Sequence, residues 1–178
     1  MTVEIVYETH APTPDNAKGV ISGWNDTPLA DEGRLLALQL GARRRDTGID
    51  AVFSSDFRRA AETAEIAFAS VGVPLHRDVR LRECNYGELN GCPAPVLDAA
   101  RAAHVDKPFP GGGQSFRQVL DATADFLHDL RAGWDGARVL VIAHSANKWS
   151  LDCLLTGAVL EDLVSSPFVW REGWEYTA

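Results

Sequence analysis

Three short apolar runs constrain this chain more than any other feature, because each stops on residues foreign to an apolar run. "VEIVY" (3–7), "AVFSS" (51–55) and "ARVLVIAH" (137–144) are rich in aliphatic, β-branched residues with no polar alternation. That is the pattern of strands buried on both faces, as in a parallel sheet covered by helices. Between the runs, helical spacing falls at 31–46, 57–70, about 94–104, 114–132 and 145–158. In the first of these, Leu35, Leu36, Leu38 and Leu40 read as one broad apolar stripe. Asp31 and Glu32 stand in its first turn, where a helix favours negative charge. "KPFPGGGQS" (107–115) reads as a turn-rich loop, and the tail "FVWREGWEYTA" offers one more strand. Strands alternating with helices predict one α/β domain over residues 1–178: three layers, α/β/α, around a mostly parallel sheet.

The polar residues then acquire a location. The first run leads into Glu8-Thr9-His10, the second into Asp56-Phe57-Arg58-Arg59, the third into His144-Ser145. In a parallel α/β sheet the carboxyl ends of the strands share one edge, where ligands bind near a switch in strand order. Two histidines and one or two arginines, far apart in sequence, therefore meet at one rim. A plainer reading pairs Arg59 with Glu62 or Asp56 on its own helix, for little energy. Ser145 opens a helix directly after His144, so first-turn N–H groups face the rim.

Imidazole, guanidinium and helix amino terminus together suit a phosphate. An unprotonated imidazole nitrogen attacks phosphorus, and the positive groups stabilise the transferring charge. The leaving oxygen then needs a proton. "RLRECNYGELNG" (80–91) offers Glu83, beside Leu81, as a partly buried carboxyl for that task. Its plainer reading is a surface partner of Arg80 or Arg82.

Composition narrows the partners. Seventeen Lys and Arg against 25 Asp and Glu give a net charge of −8, which opposes nucleic acid or an anionic membrane as partner. No apolar run has the length of a membrane span, and "MTVEIVYE" lacks the basic-then-apolar pattern of a secretory signal. Cys84, Cys92 and Cys153 have no metal-like spacing and read as reduced thiols, so a cytoplasmic location is expected. His10, His144 and Glu83 form a conceivable two-His, one-carboxylate set, but Arg59 aimed at the same spot disfavours a cation. No metal is expected.

At this point the residues resemble a family, the histidine phosphatase or phosphoglycerate mutase-like superfamily, in five ordered blocks. "THAPTPDN" (9–16) resembles its Arg-His-Gly-Glu-Thr-x-x-Asn, which implies His10 as nucleophile and Asn16 as a substrate contact. "SGWNDTPLADEG" (22–33) is similar to Gly-Trp-x-Asp-x-Pro-Leu-Thr-x-x-Gly, with Gly23 on the cleft side. "SSDFRRAAETAEIA" (54–67) resembles Ser-x-Leu-x-Arg-Ala-x-x-Thr-Ala, so the phosphate-binding arginine carries over to Arg59. "LRECNYGELNG" implies Glu83 as proton donor, and "VLVIAHS" implies His144 as the second catalytic histidine, with Ser145 beside it. The resemblance implies a phosphoglycerate mutase-like fold and a metal-free, cofactor-free reaction through a phosphohistidine. The partner it implies is a small phosphorylated molecule. A homodimer is compatible with this reading. The length is closer to the compact phosphatases than to the longer mutases.

Two departures stand out. The arginine before the nucleophile is Thr9 and the following glycine is Ala11. Threonine offers one hydrogen bond but neither charge nor a fork. Glu8 shares a strand face with His10 if the strand runs that far, and would repel phosphate unless paired with a cation such as Arg58 or Arg59. The alternative leaves Glu8 in solvent at a frayed strand end. Three readings follow: a small phosphatase in which Arg58, Lys18 or water replaces what Thr9 lacks; a repurposed enzyme using Glu8, His10 and Glu83 as acid–base groups on a non-phosphorylated molecule; and a silent binding protein.

Overall fold

The structure, a computed structural model, describes residues 2–178. Its sheet has five strands: β1 (Glu4–Thr9), β2 (Ala51–Ser54), β3 (Leu75–Arg77), β4 (Arg138–Ala143) and β5 (Trp174–Thr177), in the order β3-β2-β4-β1-β5. The first four run parallel, and β5 joins the outer side of β1 antiparallel. The three apolar runs are thus the three central strands, and the tail supplies the fifth. The short edge strand β3 is absent from the sequence reading. It carries three exposed residues, too few and too polar to show periodicity. His76 lies on it with its ring stacked on Phe53.

Alternation of side chains across the pleat builds the layers. Ile5, Tyr7, Phe53, Val139 and Val141 face one side, against Phe126, Leu127 and Leu130 of α5 (Phe116–Gly133). Val6, Val52, Leu140 and Ile142 face the other, against Ala60, Ala64, Ala67 and Phe68 of α3 (Arg58–Phe68). Helix α2 (Asp31–Arg44) joins this second layer through Leu40. The remaining helices are the single-turn α1 (Pro14–Ala17), α4 (Ala94–Ala100), α6 (Ser145–Thr156) and α7 (Leu160–Ser165). Among the described residues no helix is long and apolar enough to cross a membrane.

Helix α2 corrects the sequence reading. Of the four leucines in its expected stripe only Leu40 is buried; Leu35 is 61% and Leu38 48% exposed, and Leu36 lies at the edge of the cleft described below. The buried face is Gly33, Ala37, Leu40 and Gly41, which keeps the helical period but is made mostly of small residues. A Cβ at Gly33 would run into the Pro12 carbonyl oxygen, and one at Gly41 into that of Ala67. Close backbone approach, rather than a row of bulky side chains, seats this helix.

The strand order explains where ligands can go. The chain leaves β1, passes over β4 to reach β2, and later returns to place β4 between them. Thr9 pairs with Ala143 in register, and the His10 N–H donates to the Ala143 carbonyl at 3.0 Å. The residues that follow β1 and β4 therefore emerge side by side.

Candidate active site

His10 and His144 are those residues, and their ring centroids lie 5.2 Å apart. The His10 Nδ1 is 2.7 Å from the Ala11 carbonyl oxygen. A carbonyl only accepts, so Nδ1 carries the proton and Nε2 keeps its lone pair. Burial first, then the Arg59 charge, pull the His10 pKa down to about 3. The ring is neutral at physiological pH and presents an unprotonated nitrogen.

His144 is 1% exposed, and burial, Arg59 and His10 all hold its pKa well below the ordinary histidine value. Its Nε2 lies 2.8 Å from the Ser55 hydroxyl, while its buried Nδ1 has no partner in the protein. The backbone at His144 is held as well: its carbonyl accepts from the buried Tyr7 hydroxyl at 2.5 Å, and its N–H donates to Asn147 Oδ1 at 3.2 Å.

Arg59 is 2% exposed and is aimed by carbonyls rather than by carboxylates. Its Nη2 donates to Gly23 O at 2.7 Å and its Nη1 to Asn25 O at 3.1 Å, with the Phe57 ring 4.8 Å below the guanidinium. It makes no pair with Glu62 or Asp56; those bind Arg34 and Arg82. Gly23 acts through its backbone: φ is +54°, and a Cβ there would collide with Asn90 Oδ1.

Glu83 is almost fully buried. Oε1 accepts from Cys84 N–H at 2.8 Å and Ala146 N–H at 3.3 Å, and Oε2 from the Ser145 hydroxyl at 3.1 Å. Of the first turn of α6, one backbone N–H, that of Ala146, and the Ser145 hydroxyl thus serve Glu83, whose own segment lies across the helix terminus. Neighbours lock the segment in place. Trp24 Nε1 donates to Glu83 O at 2.7 Å, Asn147 Nδ2 donates to Arg82 O, and Arg82 grips Asp56 with two bonds of 2.6 and 2.8 Å. Neither Arg80 nor Arg82 pairs with Glu83 itself; Arg80 binds Asp78 and Asp129.

These four side chains open onto a cleft of about 890 Å³. Thr9, Glu8, Asn16, Gly23 and Ser145 also line it, so every residue of the sequence-derived set reaches one site. Their roles differ from expectation. The Thr9 hydroxyl accepts from Trp170 Nε1 at 3.1 Å. Asn16 caps α1, its Oδ1 accepting from Thr13 N–H at 2.8 Å, which leaves the Nδ2 amide for the cleft. Glu8 is 1% exposed, neither frayed nor paired with Arg58 or Arg59; its partners are Arg43 and Arg44 of α2. Arg58 and Lys18 are exposed and lie outside the cleft, so neither replaces what Thr9 lacks. Lys148, one turn into α6, pairs with Asp152. Among the described residues no group of three or more His, Cys, Asp or Glu is placed to hold a metal ion.

Two contributors are missing from the sequence-derived set. Ser55 carries a legible signal, since it follows β2, one strand from His144. Trp170 carries none, because it comes from a loop before β5 whose path depends on tertiary packing.

Comparison with known proteins agrees with this geometry. The family profile described as histidine phosphatase superfamily (branch 1) matches residues 9–168. A probable phosphoglycerate mutase, GpmB, of Salmonella typhi is 30% identical over 161 residues, spanning 86% of this chain and 74% of its own length. Among solved structures, Bacillus stearothermophilus YhfR superposes with a TM-score of 0.82 at 26% identity, over 96% of this chain and 88% of its own. A mycobacterial glucosyl-3-phosphoglycerate phosphatase complexed with VO3 gives 0.79 at 25%, over 92% and 86%.

Proposed function

Because the chain belongs to the histidine phosphatase superfamily, we propose that it hydrolyses a small phosphomonoester through a phosphohistidine on His10. One observation carries the reading: His10 commits Nδ1–H to Ala11 and turns an unprotonated Nε2 toward the cleft, with Arg59 and His144 beside it. In the first step the Nε2 lone pair forms a bond to phosphorus as the bond from phosphorus to the alcohol oxygen breaks. Glu83 gives that oxygen its proton. In the second step water attacks phosphorus, Glu83 takes the water's proton, and the N–P bond breaks to release phosphate and restore His10.

Arg59 and His144 stabilise the transferring group, whose charge spreads over its non-bridging oxygens. The Ser55 hydroxyl and the His144 Nε2 lie 2.8 Å apart, a hydrogen bond that fixes the imidazole beside the transferring group. Ser55 thereby acts as a positioning residue. The proposed chemistry uses side chains alone, without metal or cofactor, and the free thiols of Cys84, Cys92 and Cys153 accord with a reducing, cytoplasmic setting.

The test is phosphate release from p-nitrophenyl phosphate and a panel of sugar, nucleotide and acid phosphates, with chelator present, by wild type and His10→Ala. Release by wild type that drops at least about a thousandfold in the variant is expected, as for loss of a nucleophile. No release from any member of the panel by folded wild type contradicts the reading.

A further inference from the structure

The three charges beside Thr9 have no part in that reaction. Glu8 carries two guanidiniums: Arg43 with Nη2 at 3.0 Å and Nε at 3.4 Å, and Arg44 with Nε at 2.8 Å. One carboxylate against two guanidiniums leaves a positive charge over. An acidic residue in a cleft for anions is repulsive unless it brings more cation than it cancels, and here it does.

The two arginines are not equivalent. Arg44 turns Nη2 to the Glu172 carbonyl at 3.0 Å, beneath the segment that leads into β5. Gly173, at φ +84°, lets that segment lie there; a Cβ would strike the Arg44 guanidinium and approach Glu8 Oε1 at 3.1 Å. Arg43 spends Nε and Nη2 on Glu8 and keeps Nη1, and it lines the cleft with Glu8, Thr9 and Trp170. The Glu172 carboxylate on the same wall is exposed, so solvent screens it. Two steps along an extended strand separate Glu8 from His10, about 7 Å. A small substrate spans that distance.

We propose that Arg43, braced by Glu8, binds an oxyanion in this cleft and supplies from α2 the charge that position 9 lacks. The inference rests on the phosphomonoester reading. The group it holds is the phosphoryl group itself or an acidic group carried next to it by the substrate.

Calorimetric binding of inorganic phosphate to wild type, Arg43→Gln and Arg45→Gln tests this, together with KM for 2-phosphoglycolate and ethyl phosphate. Arg45 bonds the Ala67 carbonyl, away from the cleft, and controls for loss of one charge from the same helix end. Thermal melts verify that each variant folds. If Arg43 holds the phosphoryl group, Arg43→Gln weakens phosphate binding about tenfold and Arg43→Lys recovers part of it. If it holds a neighbouring acid, phosphate binding stays and the wild-type preference for 2-phosphoglycolate disappears. Either result supports the proposal. Wild type that binds and hydrolyses, with neither readout moved in Arg43→Gln relative to Arg45→Gln, overturns it and leaves the phosphohistidine reading intact. Wild type that binds no phosphate and hydrolyses neither these esters nor any member of the panel overturns both.

Discussion

His10 stays neutral in the folded protein down to a pH of about 3, because burial and the Arg59 charge both penalise its cation. The unfolded chain takes up that proton near the ordinary histidine value of about 6.5. Between these values the unfolded state holds more protons than the native state, so native stability falls as pH falls, and it is flat above. The slope from His10 is at most about 1.4 kcal/mol per pH unit. His144 shifts in the same direction and adds to it. Chemical denaturation at pH 7, 6, 5 and 4 is expected to show wild type losing stability more steeply than His10→Gln; equal slopes would contradict a neutral buried His10. At this same scale Glu8 shows what a sequence conceals. Its acidity is plain at position 8, but its counter-ions come from positions 43 and 44, and only the seating of α2 brings them across.

Helix α2 is where element-level reading fails and why. Leucines at 35, 36 and 38 make the bulky face conspicuous, whereas the face that packs is Gly33, Ala37, Leu40 and Gly41. Hydrophobic spacing detects large side chains; it is blind to a helix held by backbone contact. The sign of a glycine substitution separates the two cases. Gly→Ala inside a helix ordinarily gains up to about 1 kcal/mol. At Gly33 the new methyl meets the Pro12 carbonyl, in the segment just after His10, so Gly33→Ala is expected to cost about 1–3 kcal/mol as overpacking does. At Gly133, the last residue of α5, the same change meets open space and is expected to gain about 0.5 kcal/mol. Thermal unfolding of both variants checks this, and a stabilised Gly33→Ala would refute the close approach. The central strands, by contrast, are legible because burial on both faces forces continuous apolar runs that end where the site begins.

For the whole molecule, a net charge of −8 coexists with a cleft whose functional side chains, two arginines and two neutral histidines, come from four separate elements. Arg59 comes from α3, Arg43 from α2, and the histidine pair from the ends of β1 and β4. Sequence shows the histidines, Arg59 and Glu83 because parallel strands deliver their ends to one edge. It hides Arg43 and Trp170 because their places follow from how α2 and the segment before β5 pack, and no local pattern encodes that. The central claim is that His10 Nε2 becomes bonded to phosphorus. Rapid mixing of the protein with p-nitrophenyl phosphate, a quench in alkali and peptide mass spectrometry read this directly. The account predicts an alkali-stable, acid-labile phosphoryl group on His10 that is lost in His10→Ala. Turnover by wild type with phosphate found on another residue, or unchanged turnover by His10→Ala, would contradict it.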